Sequence, residues 1–494
     1  MEIDERIAQL FRDEADGPAV QYEGSWWTWN DIRRIIDGID WLLRANGLGA
    51  GTGVGLVLRE RPHTFAGYVA VLATRRCAVL VTPIQPDAAM CGDVRQLRLP
   101  VLVADAEDWG RDGLVDAARD AGTFGIELTG DRDAPVRVLP GLETVGGGDR
   151  YAAASGVAVT ILTSGTSGAP KRIPLPYSHF AGEPPTSPRP PSQRGVSINA
   201  VPLVSVGGAV GVVNSLWRGR ATALMDRFDP LQWAKLVHEH KPRRLAAPPA
   251  TLRMLLDRQV PPELLASGAI FIAASAPVDL ATSDEFEAVY GIPVVRAYGA
   301  TEFLGAVTGF TPDDEHLARA KRGSVGRAFP GSRVRIVSAE TGEELPPGEV
   351  GVLEADPAQR PVGTPRGWIR TTDLARMDED GFVWIEGRAD GVIIRGGFKV
   401  HGHEIEEVLR SHPAVADAAV VALPDPTLNE VPAAAVVLRP GADASEEELR
   451  ELVRAAKPPY YVPTRIAIVG ALPRNGMLKV IPARVRALIE EVRA

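Results

Sequence analysis

Four hydroxyl residues, two glycines and one lysine fall within the nine positions Thr163-Ser164-Gly165-Thr166-Ser167-Gly168-Ala169-Pro170-Lys171. The apolar run 157–162 before them reads as a strand, so the segment is a strand leading into a loop of small residues. Such a loop offers backbone N–H groups, hydroxyls and an ammonium to a polyphosphate, whose charge and many acceptor oxygens call for that density of donors. It is not a Walker A loop, because Lys171 comes six residues after Gly165 and no Ser or Thr follows it. Taken alone, a solvated Gly/Ser turn ending in a surface lysine explains the same residues equally well.

What must hold such a loop is set first by size and composition. A chain of 494 residues is too long for one core, since cores stop growing near about 250–300 residues, so two or three domains are expected. Hydrophobic residues at 45% and charged residues at 24% describe a soluble globular protein and exclude a disordered or fibrous one. A net charge of −9 argues against nonspecific nucleic-acid binding and leaves small molecules as the expected partners. Cys77 and Cys91 are too few for a disulfide framework and are not in CxxC spacing. The apolar stretch 66–84 carries Arg75 and Arg76 in its middle and reads as a buried helix followed by a strand, not as a membrane span. The acidic start, MEIDERIAQLFRDE, lacks the basic, then apolar, pattern of a secretion signal, so a cytoplasmic protein is expected. No fixed-period repeat is visible, and no feature sets an oligomeric state.

In the first half, helical segments such as Trp29–Ala45 alternate with β-rich runs at 53–58, 79–83 and 101–104, which predicts parallel sheets wrapped by helices. Five prolines between residues 182 and 195 predict a surface loop. From Arg333 onward, strands at 334–337 and 350–355 joined by Gly- and Pro-containing turns predict a β-rich subdomain. After Gly387 the order is helix 404–411, strands 416–423 and 432–438, helix 445–456, strand 464–469 and a helix from Pro482, a small α+β domain of ordinary size.

The loop at 163–171 resembles the TSGTTGxPKG signature of the adenylate-forming superfamily, which includes acyl-CoA synthetases, adenylation domains of nonribosomal peptide synthetases and firefly luciferase. It departs from that signature at Ser167, where Thr is usual, and at Arg172, where Gly is usual and where the arginine adds positive charge. Further motifs follow in family order. Ala273-Ala274-Ser275-Ala276-Pro277 looks like the turn lining the adenine site, and Tyr298-Gly299-Ala300-Thr301-Glu302 matches YGxTE. The stretch 368–373 resembles the segment ending in TGD, with Thr372 for Gly. Gly387-Arg388-Ala389-Asp390 resembles GRxDD, with Gly391 for the second Asp, and 473–479 resembles PRxxxGK, with Leu478 for Gly.

The resemblance implies an α/β protein with a large N-terminal domain, residues 1–389, of two αβ-sandwich subdomains plus a β-rich subdomain. It implies a small mobile α+β domain, residues 390–494, carrying a catalytic lysine. ATP and Mg²⁺ are the implied cofactors, with coenzyme A as co-substrate. Thr163, Ser164, Thr166, Ser167 and Lys171 would grip the β- and γ-phosphates, with Gly165 and Gly168 in the same loop. Ser275, Ala276, Pro277, Tyr298 and Gly299 would form the adenine site. Thr301 would meet the α-phosphate, Glu302 would ligate Mg²⁺, and Asp373 and Arg388 would hold the ribose. Lys479 would bridge the substrate carboxylate and the α-phosphate, offsetting charge where two anions are driven together. Asp390 would be the hinge, and Gly396 and Gly397 would lie beside a thiol tunnel.

The segment 202–208 falls where many family members carry a Pro-x-Phe-His sequence near the acyl group, here with Ser205 at the His position. Peptide-synthetase domains place an Asp in this region for the α-ammonium of an amino acid, and residues 202–217 contain none, which disfavours a free α-amino acid. Val204, Ser205, Gly207, Gly208, Val212, Ala273, Ala274, Phe303 and Leu304 form the expected acyl wall, small and mostly apolar, suited to an aryl or alkyl carboxylic acid. Core packing explains most of these residues as well. Transfer of the acyl group to coenzyme A is the leading expectation. The alternatives are an amide-bond synthetase that passes the adenylate to an amine, and a noncatalytic nucleotide-binding relative.

Overall fold

The structure, a computed structural model, describes residues 1–163, 171–182, 190, 193–274, 280–388, 392–473, 480 and 482–491. Among these, a sheet of seven strands runs in the order Val136–Val138, Phe124–Leu128, Val101–Asp105, Gly53–Val57, Cys77–Val81, Val157–Thr163, Lys171–Pro176. Its inner strands are parallel and only the two edges are antiparallel. Four of the inner strands are buried along their whole length, as expected where helices cover both faces. The helix Trp29–Ala45 has the bounds its periodicity predicts, and Thr28 starts it with a reciprocal capping box to Asp31.

The arginines that interrupt the apolar stretch 66–84 are both committed to carboxylates. Arg76 is buried, pairs with Asp40 at 2.7 Å and donates to the Leu48 carbonyl. Arg75 reaches Glu2 at 2.8 Å and Asp4 at 3.1 Å. The stretch is indeed a buried helix, Pro62–Ala73, followed by a strand. Among the described residues no helix is long and apolar enough to cross a membrane.

A second sheet orders Val196–Ile198, Ala221–Leu224, Pro18–Tyr22 and Ser25–Thr28, and a third, parallel one orders Arg244–Ala247, Ile270–Ala273 and Val294–Arg296. Antiparallel strands then take over, as the turn-rich sequence predicts: Arg333–Val337, Gly351–Asp356, Ile369–Met377 and Val383–Arg388 form one sheet. The C-terminal part is α+β, with the long hairpin Val415–Asp425 and Asn429–Leu438, the parallel strand Arg465–Ile468, and the helices Gly402–Arg410, Glu446–Ala456 and Pro482–Glu491. Among the described residues, each hydrophobic cluster draws on one side only of the stretch 389–391: those of the C-terminal part use residues 393–489 and none from before it.

Candidate active site

The strands flanking the phosphate loop pair antiparallel, with Thr163 directly opposite Lys171. These two strands form one antiparallel edge of the seven-stranded sheet. Ser164, Gly165, Thr166, Ser167 and Gly168 lie outside the described residues, as do the side chains of Thr163 and Lys171. The charge expected from Arg172 is already used: its guanidinium pairs with Asp93 and donates to the Leu80 carbonyl at 3.1 Å, stitching the edge strand to its sheet.

The YGATE residues are shaped by a second hairpin. Strands Tyr298–Ala300 and Gly305–Gly309 approach so closely that a Cβ on Gly299 would lie 2.1 Å from the Gly305 carbonyl oxygen, so only glycine fits there. Between the strands, Thr301–Phe303 forms a single 3₁₀ turn carrying Glu302, and Leu304 adopts a left-handed φ of 59° while buried. A branched, buried residue held there stores backbone strain of about 1–3 kcal/mol, a pattern typical of functional turns. Glu302 makes no hydrogen bond or ion pair with any described residue.

Tyr298 and Asp373, seventy-five positions apart, converge: the Tyr298 hydroxyl donates to Asp373 Oδ2 at 2.5 Å. Asp373 is fixed from its own strand as well, its N–H donating to Thr371 Oγ1 at 3.0 Å while the Thr371 hydroxyl donates to the Leu353 carbonyl. Arg388 stands directly opposite Asp373 in the antiparallel register, although its side chain lies outside the described set. Ser275, Ala276, Pro277, Asp390 and Lys479, and the side chain of Thr301, also lie outside the described residues.

The expected acyl wall divides. Ala273, Val212, Phe303 and Leu304 are buried in hydrophobic clusters. Ser205 is the N-cap of the helix Val206–Arg218, accepting from the Gly208 N–H at 3.0 Å and donating to the Pro202 carbonyl at 2.7 Å. Gly208 is a contact requirement of that turn, because a Cβ on it would lie 2.2 Å from the Pro202 oxygen. Val204 and Ala274 are half-buried and Gly207 is exposed. Of the nine, Val212 borders a cavity of about 170 Å³ beside this helix.

Gly396 and Gly397 form the two-residue turn between strands Ile393–Arg395 and Phe398–Val400, with φ values of 55° and 93°. Positive φ at both central residues is the requirement of the tight hairpin turn, which glycine meets without strain.

Sequence reasoning missed Glu60. It lies just beyond the strand Gly53–Val57 and accepts the Leu203 N–H at 2.7 Å, bracing the segment that leads into the helix Val206–Arg218. Burial pushes its carboxyl up to about 7. The only sequence signal was the charged run Arg59-Glu60-Arg61 at a strand end. Since the folded state holds this proton more tightly than the unfolded chain, the stability it contributes is fully present below the ordinary value of 4.5 and is lost as pH rises through about 7. Glu60→Gln, which keeps an acceptor for Leu203, is expected to flatten that loss. The urea midpoints of both proteins at pH 5 and pH 8 test it, and parallel declines would refute the assignment.

A neighbouring network fixes Glu60's own segment. Arg59 forks onto Asp108 at 2.7 and 2.8 Å, and Arg61 reaches Asp105 at 2.8 Å, Glu107 at 2.6 Å and Asp226 at 3.0 Å.

The AMP-binding enzyme family model matches residues 8–355, and the AMP-binding enzyme C-terminal domain model matches residues 404–479. A long-chain-fatty-acid–CoA ligase of Bacillus subtilis (strain 168) is 27% identical, the match covering 96% of this chain and 92% of the relative. The 4-coumarate–CoA ligase-like 6 protein of Oryza sativa subsp. japonica is 33% identical over 58% of this chain and 50% of its own length. For the 4-coumarate–CoA ligase-like 5 protein of the same plant the match spans 61% of the relative. Among solved structures, the amide bond synthetase McbA from Marinactinospora thermotolerans superposes with a TM-score of 0.81 at 24% identity over 99% of both chains. The o-succinylbenzoate CoA synthetase (MenE) from Bacillus subtilis, as a double mutant, superposes with a TM-score of 0.79 at 20% identity over 97% of both. At such identities these likenesses establish a shared fold.

Proposed function

The chain belongs to the AMP-binding enzyme family, and from that premise we propose that it activates an aryl or alkyl carboxylic acid with ATP and passes the acyl group to coenzyme A. The observation that carries this reading is the convergence of Tyr298 on Asp373, with Arg388 opposite in register. An aromatic ring beside a carboxylate fixed from two strands suits a nucleoside, the ring stacking on the base and the carboxylate accepting from ribose hydroxyls.

In the first half-reaction a substrate carboxylate oxygen attacks the α-phosphorus, the bond to the pyrophosphate oxygen breaks, and pyrophosphate leaves. Two anions must approach, so the residues' work is charge compensation and alignment. Lys171 and the loop hydroxyls would take the leaving pyrophosphate, and Thr301 and Lys479 the α-phosphate. Glu302, unpaired among the described residues, is a carboxylate suited to a hard divalent cation, and magnesium there would neutralise charge on the transferring group. In the second half-reaction a thiol sulfur attacks the acyl carbonyl, the bond to the AMP oxygen breaks, and the thiol proton passes to solvent. Residues 390–494 would turn about Asp390 between the two, and a cytoplasmic location would supply ATP and coenzyme A.

A second acceptor, an amine, is favoured by one observation: the hydroxyl of Ser205, at the family's His position, is engaged as a helix cap. ATP–pyrophosphate exchange across a panel of carboxylic acids tests adenylation, with exchange expected for at least one aryl or alkyl acid. Silence with every acid would favour a noncatalytic nucleotide-binding role. Adding coenzyme A or an amine, with products read by mass, then decides the acceptor; the thioester is the expected product.

A further inference from the structure

Asp373 stands in a break of its strand's pairing. Val352 pairs with Leu374 and Glu354 with Arg370, so Thr371, Thr372 and Asp373 stand opposite Leu353 alone. On the strand's other side the register shifts again between Leu374 and Ala375. The hairpin carrying Tyr298 slips as well, since Tyr298 pairs with Thr308 and Gly299 with Ala306. Bulges of this kind re-aim a side chain out of the regular alternation, and they recur beside functional sites. Here irregularities in two different sheets bring one tyrosine hydroxyl onto one carboxylate, at 2.5 Å. Both residues are half-buried, so each keeps surface open to solvent.

The backbone alone does not settle how that carboxylate lies. The terminal torsion of an aspartate is broad, and the bonds of Thr371 hold only the main chain: it accepts the Asp373 N–H at 3.0 Å and donates to the Leu353 carbonyl at 2.8 Å. The Tyr298 hydroxyl bonds the carboxylate itself, and a charge-assisted bond of this length is about twice as strong as a neutral one. The tyrosine ring is steadied in turn. It lies against Phe303, with 6.3 Å between ring centroids, and packs on the cluster of Val325, Ile336, Leu353 and Val383. A carboxylate accepts at about four lone-pair sites, so one bond from tyrosine orients it without using it up. Orientation matters unequally for its ligands. A pair of neighbouring hydroxyls held by both oxygens needs the plane of the carboxylate set, whereas a single hydroxyl is met by either oxygen in many rotations.

We infer that the Tyr298 hydroxyl is a positioning group: it fixes the plane of the Asp373 carboxylate and thereby selects nucleotides carrying both ribose hydroxyls over 2′-deoxynucleotides. The inference rests on the proposed nucleotide reading of this pair. It gives the two ends of the tyrosine separate tasks, the ring for the base and the hydroxyl for the sugar.

Calorimetric titration of the full chain with ATP and with 2′-deoxy-ATP tests it. The native protein is expected to bind ATP at least about tenfold more tightly, the worth of one hydrogen bond to a charged acceptor. Tyr298→Phe keeps the ring and its packing. It is expected to shrink that ratio at least about threefold by weakening ATP, with 2′-deoxy-ATP held within about twofold. Equal weakening of both nucleotides would show that the hydroxyl serves only the fold or the stacking, and would overturn the inference. An unchanged ratio would overturn it too, and so would a larger one, which would mark the hydroxyl as a competitor of the sugar. Should Tyr298→Phe fail to fold, Thr371→Val, which loosens the bulge under Asp373, is expected to shrink the ratio in the same way, and an unchanged ratio there would count against the assignment. The native ratio with no pyrophosphate exchange for any acid would refute adenylation while supporting the sugar selectivity. No binding of either nucleotide would overturn both.

Discussion

Lys479→Ala is expected to lower acyl-adenylate formation at least about a hundredfold while leaving ATP affinity within about threefold. Removing one preorganised donor from developing charge in a shielded site costs about 10²–10³ in rate, and under the proposed role the donor would be a full ammonium between two anions. Under the proposed role the lysine acts on the transferring group, not on the adenine or ribose, so the loss is expected in kcat and not in the binding of nucleotide. The described flanks on either side are anchored in one hydrophobic cluster: Leu472 is buried before this stretch, and Val485 and Ile489 bury the helix after it. Pyrophosphate exchange measures the first half-reaction. Supplying synthetic acyl adenylate with coenzyme A isolates the second, which the variant is expected to perform within about threefold of the native rate. Equal losses in both would show that Lys479 serves the fold and not adenylation.

Asp108→Ala is expected to destabilise the N-terminal part by about 3 kcal/mol, the low end of the 3–5 typical when one member of a buried ion pair is removed. Asp108 is completely buried and receives a two-pronged fork from Arg59, whose side chain is 18% exposed. Without it the guanidinium keeps Glu107 at 2.9 Å and Asp105 at 3.9 Å, which is why the cost sits at the low end. The urea midpoint reads the loss, and Arg59→Met in the Asp108→Leu background is expected to restore most of it by replacing two charges with apolar volume. If the single change moves the midpoint no more than an exposed pair such as Arg33 and Asp37 would, the network adds nothing to the fold. Arg59 adjoins Glu60, so a slack Arg59 is expected to loosen the brace on Leu203 and, under the proposed function, to raise KM for the acid.

Helix Trp29–Ala45 is legible in its own apolar spacing and in the Thr28/Asp31 box, and helix Glu446–Ala456 in the Ser445/Glu448 box. The class and the order of the motifs are readable because each motif is a short run whose chemistry is local. What escaped were the contacts between distant segments that no motif marks. Glu60 meets Leu203 across 143 positions, and Arg59 meets Asp108 across 49. Arg172 was read for its charge, but charge in a sequence carries no address, and the fold directs it to Asp93. The glycines at 396 and 397 are expected beside a thiol tunnel by resemblance, and their backbone angles add that they also make a tight turn.

The separation of the hydrophobic clusters around residues 389–391 has a consequence for synthesis. A ribosome adding about 5–20 residues per second takes roughly five to twenty seconds to make the C-terminal part. During that interval the strands bearing Tyr298 and Asp373 have every apolar partner that they use among the described residues of the finished protein. Under the proposed roles, the nascent chain can close around a nucleotide before Lys479 has been translated, so ATP is available as a folding ligand at a stage when it cannot yet be consumed.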